Sequence, residues 1–187
     1  IRTRYADTGR TMLRPLGFNN TFTILVRSAD ARARGLTRLS QLGTHAPGWR
    51  AAFGYEFLER EDGYRGLASV YGLRFAGAPS VMDLSLVYRA LAQGQVDVVA
   101  GDATAGLIET LGLTALDDDR QYFPPYDAVP VLHAATLLRH PEIGVAIARI
   151  SGRVTVAAMR RMNVAVDGRR EDPAVVVRQF LDALDRS

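Results

Sequence analysis

The stretch Phe18-Asn19-Asn20-Thr21-Phe22 sets two amides and a ring immediately before an apolar run, where amides either close a turn or face a cleft. Glu56 to Gly63 places one guanidinium, Arg60, among four carboxylates just ahead of a helix start. Gly101-Asp102-Ala103-Thr104 follows the short apolar segment Val96 to Ala100, and the carboxyl ends of strands are where open α/β sheets hold ligands. Tyr122-Phe123-Pro124-Pro125-Tyr126 carries two tyrosines in a loop that two prolines stiffen. Taken singly, each has a plain structural reading: a turn, a surface ion pair, a helix cap and a loop packed on the core. Taken together they offer Asn19, Asn20, Phe22, Arg60, Asp102, Thr104, Tyr122 and Tyr126 as a set suited to binding rather than to bond breaking.

Enzyme templates are missing. The sequence has no G-x-S-x-G, G-x-x-x-x-G-K-[ST], G-x-G-x-x-G or H-E-x-x-H pattern, so no catalytic residue and no cofactor is assigned. Its three histidines, His45, His133 and His140, are scattered, and the run Asp117-Asp118-Asp119 reads as a solvated loop rather than a metal site. There is no cysteine, which excludes a disulfide framework and thiolate chemistry. All 23 basic residues are arginines interleaved with 20 acidic residues, without the one-sided clustering of a nucleic-acid binder. No apolar run reaches the roughly 20 residues that span a bilayer, so any export signal or anchor is expected to lie outside these residues.

Strands and helices must alternate to position the four stretches. Thr21 to Arg27 and Arg50 to Gly54 read as buried strands, and so does Val96 to Ala100. Helices are expected over Thr37 to Leu42, from Asp62 to Tyr71 with Gly72 as cap, from Asp83 to Gly94, and from Thr104 to Leu111. Leu73 to Val81 and Ala128 to His133 read as extended, and Leu113 to Leu116 as a strand. Three further helices follow: Pro141 to Ile150, Thr155 to Asn163 and Asp172 to Leu184. Such alternation with short links argues for an α/β fold with a parallel-rich sheet.

In order and spacing, the segments PLGFNNTF, FLEREDGYRGL, VYGLRF, VYRALAQGQVDVVAGDATAGLI, LDDDRQYFPPYDAVPV, HPEIGVAIARISGRVT and DPAVVVRQFL resemble the glycine betaine/choline/carnitine-binding proteins of ABC importers over nearly the whole chain. The resemblance implies a two-lobed periplasmic-binding-protein fold of type II that closes on its ligand like a hinged clamp. It implies a crossover from the first lobe over residues 1–17, a second lobe over 18–103, and a mostly helical return to the first lobe over 104–187. The first lobe is expected to be incomplete, its opening strands lying upstream.

The resemblance also implies an extracytoplasmic, membrane-associated solute-binding component. Its partners would be a small quaternary-ammonium solute and an ABC permease, fused to it in some relatives, with no nucleic acid. The alternative is a ligand-sensing domain of a regulator or receptor on the same fold. Carried over by motif, Phe22 and Tyr126 become cage aromatics, because a quaternary ammonium cannot donate hydrogen bonds and is held by ring faces. Asn20 faces the ligand beside Phe22. Arg60 clamps a carboxylate or bridges the lobes, unless it only pairs with Glu59 or Glu61. Asp102 stands where many relatives have tyrosine, and Phe22 where they often have tyrosine; an acid beside the cation favours choline or another cation without a carboxylate.

Overall fold

The computed structural model describes residues 2–186. Its centre is a five-stranded mixed sheet in the order β4-β3-β5-β2-β6, formed by β2 (Phe22–Arg27), β3 (Ala51–Phe53), β4 (Ser80–Val81), β5 (Val98–Asp102) and β6 (Leu113–Leu116). β3 pairs in parallel with β4 and β5, whereas β2 runs antiparallel to both β5 and β6. The sheet is therefore parallel on one side and antiparallel on the other. That reversal arises because β2 enters from the chain's first extended segment and not from a helical crossover.

The apolar run of β2 is buried on both faces, as a central strand requires. Ile24 and Val26 face one core with Phe53, Phe57, Leu67, Tyr71 and Val98, while Leu25 faces the other with Ala52, Val87, Leu91 and Val99. The first core is closed by α4 (Tyr64–Tyr71) and a 3₁₀ segment at Leu39–Thr44, the second by α5 (Leu84–Ala92) and α6 (Leu107–Thr110). Gly72 ends α4 at φ 66°, a left-handed conformation that glycine adopts without steric cost. Asp83 starts α5 by accepting a hydrogen bond from the Ser85 backbone N–H at 2.8 Å.

Outside this sandwich, β1 (Arg10–Met12) and β7 (Val131–His133) form an antiparallel ribbon. It continues as two extended segments: Leu16 and Asn20 donate backbone hydrogen bonds to Ala128 and Tyr126, and Ala128 donates to Phe18. The remaining helices are α1 (Arg2–Ala6), α7 (Ala134–Arg139), α8 (Pro141–Ile150), α9 (Val156–Asn163) and α10 (Pro173–Asp185).

Several elements differ from the sequence reading. The strand expected at Val96–Ala100 lies at Val98–Asp102, which brings Asp102 into the ladder. The helix expected from Thr104 to Leu111 is a single turn, Leu107–Thr110, and Gly106 at its N-cap packs against the Asn163–Val164 backbone with no room for a Cβ. Two short helices, α2 (Ser28–Arg34) and α3 (Tyr55–Glu59), lack the apolar period that would reveal them. Beyond residue 103, β6 still belongs to the main sheet.

Candidate functional site

The start of β2 and the end of β5 lie side by side, so that Phe22 is opposite Asp102. Just outside the ladder, the Ala103 N–H donates to the Thr21 carbonyl at 3.0 Å. Thr104, only 7% exposed, donates its hydroxyl to Asn20 Oδ1 at 2.5 Å. Asn19 Oδ1 accepts the Tyr126 backbone N–H at 2.8 Å, and the Asn20 N–H donates to the Tyr126 carbonyl at 3.0 Å. The Asn19 side chain and the Asn20 backbone therefore pin the tyrosine loop to the sheet end. Around this junction opens a cavity of about 210 Å³ lined by Asn20, Phe22, Glu56, Arg60, Leu84, Asp102 and Tyr126.

Two rings converge on one cationic centre in this cavity. Arg60 Cζ lies 5.6 Å from the Phe22 ring centroid and 5.7 Å from that of Tyr126, within the range of cation–π attraction. Phe22 is itself braced edge-on by Phe57, with centroids 4.9 Å apart. The guanidinium is already paired: Nε and Nη2 meet the two oxygens of Asp62 at 2.7 and 2.8 Å, and Nη1 reaches Glu56 at 3.3 Å. Arg60 also donates to the Tyr126 hydroxyl, which in turn donates to Asp62 at 2.6 Å. Arg60's hydrogen bond holds the Asp62 carboxyl down at about 2. The same pairing raises the guanidinium's own pKa, so both remain charged at any ordinary pH.

Asp102 is in the opposite condition. It is half-buried, and its carboxylate has no hydrogen bond or ion pair among the described residues. Burial pushes its pKa up, and the nearby negative charge of Glu56 pushes the same way. Its backbone is fixed by the buried Tyr88, whose hydroxyl accepts the Asp102 N–H at 3.0 Å and whose own pKa burial raises to about 12.

Of the eight residues singled out in the sequence, the structure brings Asn20, Phe22, Arg60, Asp102 and Tyr126 to one cavity. Asn19, Thr104 and Tyr122 stand behind its wall. Tyr122 donates to the Gly63 carbonyl at 2.9 Å and fills the space where Gly66 would carry a Cβ. The rival reading, in which Arg60 only pairs with a neighbouring acid, holds in kind but with other partners: Asp62 and Glu56 in place of Glu59 or Glu61. Reasoning from sequence missed two lining residues, Glu56 and Leu84, which open α3 and α5. Glu56 was visible only as one of the acids around Arg60, and Leu84 only as part of a helical stripe.

The acidic run is not the solvated loop its sequence suggests. Asp118 accepts the backbone N–H groups of Tyr122 and Phe123 at 3.0 and 2.8 Å and the hydroxyl of Tyr71. Asp119 accepts the Ser40 N–H at 3.1 Å. Asp118 thus folds the aromatic loop and Asp119 holds the 3₁₀ segment, and among the described residues no group of His, Asp and Glu side chains is arranged to hold a metal ion.

The known proteins that this chain resembles are transport components. The family described as the substrate-binding domain of ABC-type glycine betaine transport systems matches residues 1–183. The carnitine transport binding protein of Listeria monocytogenes is 33% identical over 166 residues, covering 88% of this chain and 54% of its own length. A Helicobacter pylori protein named as ergothioneine transport permease and ergothioneine binding protein is 27% identical, covering 90% of this chain and 30% of its own. A crystal structure of a glycine betaine/carnitine/choline ABC transporter protein superposes with a TM-score of 0.86 at 34% identity, covering 94% of this chain and 64% of that one. The chain thus spans about half the length of the Listeria relative.

Proposed function

The chain belongs to the family of substrate-binding domains of ABC-type glycine betaine transport systems, and from that premise we propose that it captures a small quaternary-ammonium solute outside the cytoplasmic membrane and presents it to an ABC permease. The fold is that of the type II periplasmic binding proteins, and the family is one of transport components rather than enzymes. No helix among the described residues is long and apolar enough to cross a membrane. Association with the membrane would therefore come through the permease or another segment. The Helicobacter relative, named as both permease and binding protein, gives a precedent for fusion of the two.

One observation carries the reading of the solute: the rings of Phe22 and Tyr126 already attract a cation, the Arg60 guanidinium, on the rim of a cavity where the Asp102 carboxylate has no partner among the described residues. A cation without hydrogen-bond donors gains from ring faces and from the nearby negative charge. Arg60 has its planar donors engaged by Asp62, so it is poorly placed to clamp a solute carboxylate in a bidentate fashion. The arrangement favours choline, or another cation lacking a carboxylate, over glycine betaine. Asn20, held by Thr104, is the polar group best placed for a hydroxyl on that solute.

In the domain division this reading entails, residues 18–103 form one lobe and the helical remainder belongs to the other. The pairing of β6 with β2, and the packing of Phe123 in the same core, support carrying that lobe on to Phe123.

Calorimetry on the full-length protein tests the reading, using choline and glycine betaine against wild type, Tyr126→Phe and Tyr126→Ala. Choline is expected to bind the more tightly. Tyr126→Ala should weaken choline by about 2- to 30-fold, the worth of one ring at roughly 0.5–2 kcal/mol, whereas Tyr126→Phe keeps most of the affinity. Indifference of choline binding to Tyr126→Ala overturns the cage.

A further inference from the structure

A second hollow of about 390 Å³ opens beside the first and shares Phe22, Glu56 and Leu84 with it. Its remaining wall comes from the ends of β3 and β4, where Gly54, Val81 and Met82 stand, and from the start of α5. Val81 is 61% and Leu84 40% exposed, so large apolar groups are left uncovered next to the cup that holds the charge. The carboxylate of Asp83 in this wall is turned to its capping bonds with Ser85, at 2.8 Å to the backbone N–H and 2.5 Å to the hydroxyl. That leaves Glu56, exposed at the seam between the two hollows and held only by its 3.3 Å contact with Arg60, as the acid able to face a cationic head from this side.

Size separates the two spaces in the same way. At about 210 Å³ the cup is smaller than the roughly 300–1,000 Å³ common for small-molecule sites, and the adjoining hollow brings the continuous cleft into that range. We propose that the hollow between Gly54, Met82 and Leu84 is an apolar subsite, and that the solute is a quaternary-ammonium compound bearing a hydrophobic arm that passes Glu56 to lie against Val81 and Met82. This rests on the reading of the cup as the head-group site.

Gly54 allows a direct probe. Its backbone lies at φ −63° and ψ 150°, which any residue adopts, and a Cβ there meets nothing within 4 Å. A leucine at this position fills the hollow without backbone strain, and Met82→Trp fills it from the opposite wall.

The test titrates the full-length protein and these two variants with tetramethylammonium and n-butyltrimethylammonium. A seated methylene improves affinity by about 3- to 4-fold, so the butyl compound should bind wild type at least about ten-fold more tightly than the methyl compound. Gly54→Leu and Met82→Trp should remove that gain and leave tetramethylammonium affinity where it was. Equal binding of the two probes to wild type would overturn the subsite while leaving the head-group cup standing, as when another part of the protein fills the hollow. A gain that survives both variants would place the arm elsewhere and overturn it too. Failure of both probes to bind wild type would instead bring down the underlying assignment of the cup, and the subsite with it.

Discussion

Asp102 lines the cavity and Asp62 is bonded to two of its lining residues, Arg60 and Tyr126, yet the two carboxyl pKa values are displaced in opposite directions. Asp62 is locked between Arg60 and Tyr126, and its carboxyl sits at about 2. Asp102 has no positive partner among the described residues, and burial together with Glu56 raises its pKa. As pH falls Asp102 is therefore neutralised before Asp62, and the Arg60–Asp62 pair outlasts it. Choline affinity should fall as pH is lowered through the Asp102 pKa. Asp102→Asn should bind weakly throughout and lose that dependence, which calorimetry across a pH series would show. Loss of binding in this window should not be loss of fold. A native pKa above the unfolded value favours the folded state as pH falls, and the stabilisation from Asp62 is kept above the ordinary carboxyl value of 3.8 and lost progressively from there down to about 2. A pH dependence that survives Asp102→Asn would locate the titrating group elsewhere.

Between elements, the cavity depends on contacts that lie outside it. α9 reaches the exit of β5 with two side chains: Arg160 Nε donates to the Ala103 carbonyl at 2.6 Å and Asn163 Nδ2 to the Thr104 carbonyl at 2.8 Å. Thr104 holds Asn20, and Asn20 is joined to Tyr126, so one helix far along the chain fixes the mouth of the site. Removing a charged donor from a part-buried carbonyl costs about 1.5–3 kcal/mol. Arg160→Met is accordingly expected to lower the free energy of unfolding by that amount in urea denaturation. Choline affinity should fall with it, although no group lining the cavity has changed. Full stability and affinity in that variant would show that the β5 exit keeps its place without α9.

Taking the molecule as a whole, the sheet is the rigid member on which everything else is registered, and Leu25 lies fully buried at its centre between β5 and β6. Leu25→Ala should cost about 2–5 kcal/mol, because a residue enclosed on a central strand leaves a cavity that its neighbours cannot collapse into. The chevron or equilibrium midpoint in guanidinium would read this directly, and a loss below about 1 kcal/mol would mean the core repacks. Much of this frame was legible in the residues themselves: the apolar run of β2 had to be buried on both faces, Gly72 and Asp83 had to bound their helices, and the order of the segments carried the family likeness. These are local matters, settled by period, capping chemistry and the burial of apolar surface. The register of β2 against β5 was not legible, since side chains alternate with a period of two and nothing in Gly101-Asp102 says whether the strand stops before the acid or includes it. Nor could the sequence choose a partner for Arg60 among the acids around it, or separate Tyr126, which lines the cavity, from Tyr122, which supports its wall. Those choices depend on distances between segments far apart in the chain, and only the packed sheet, with the aromatic loop stapled down by Asp118, decided them.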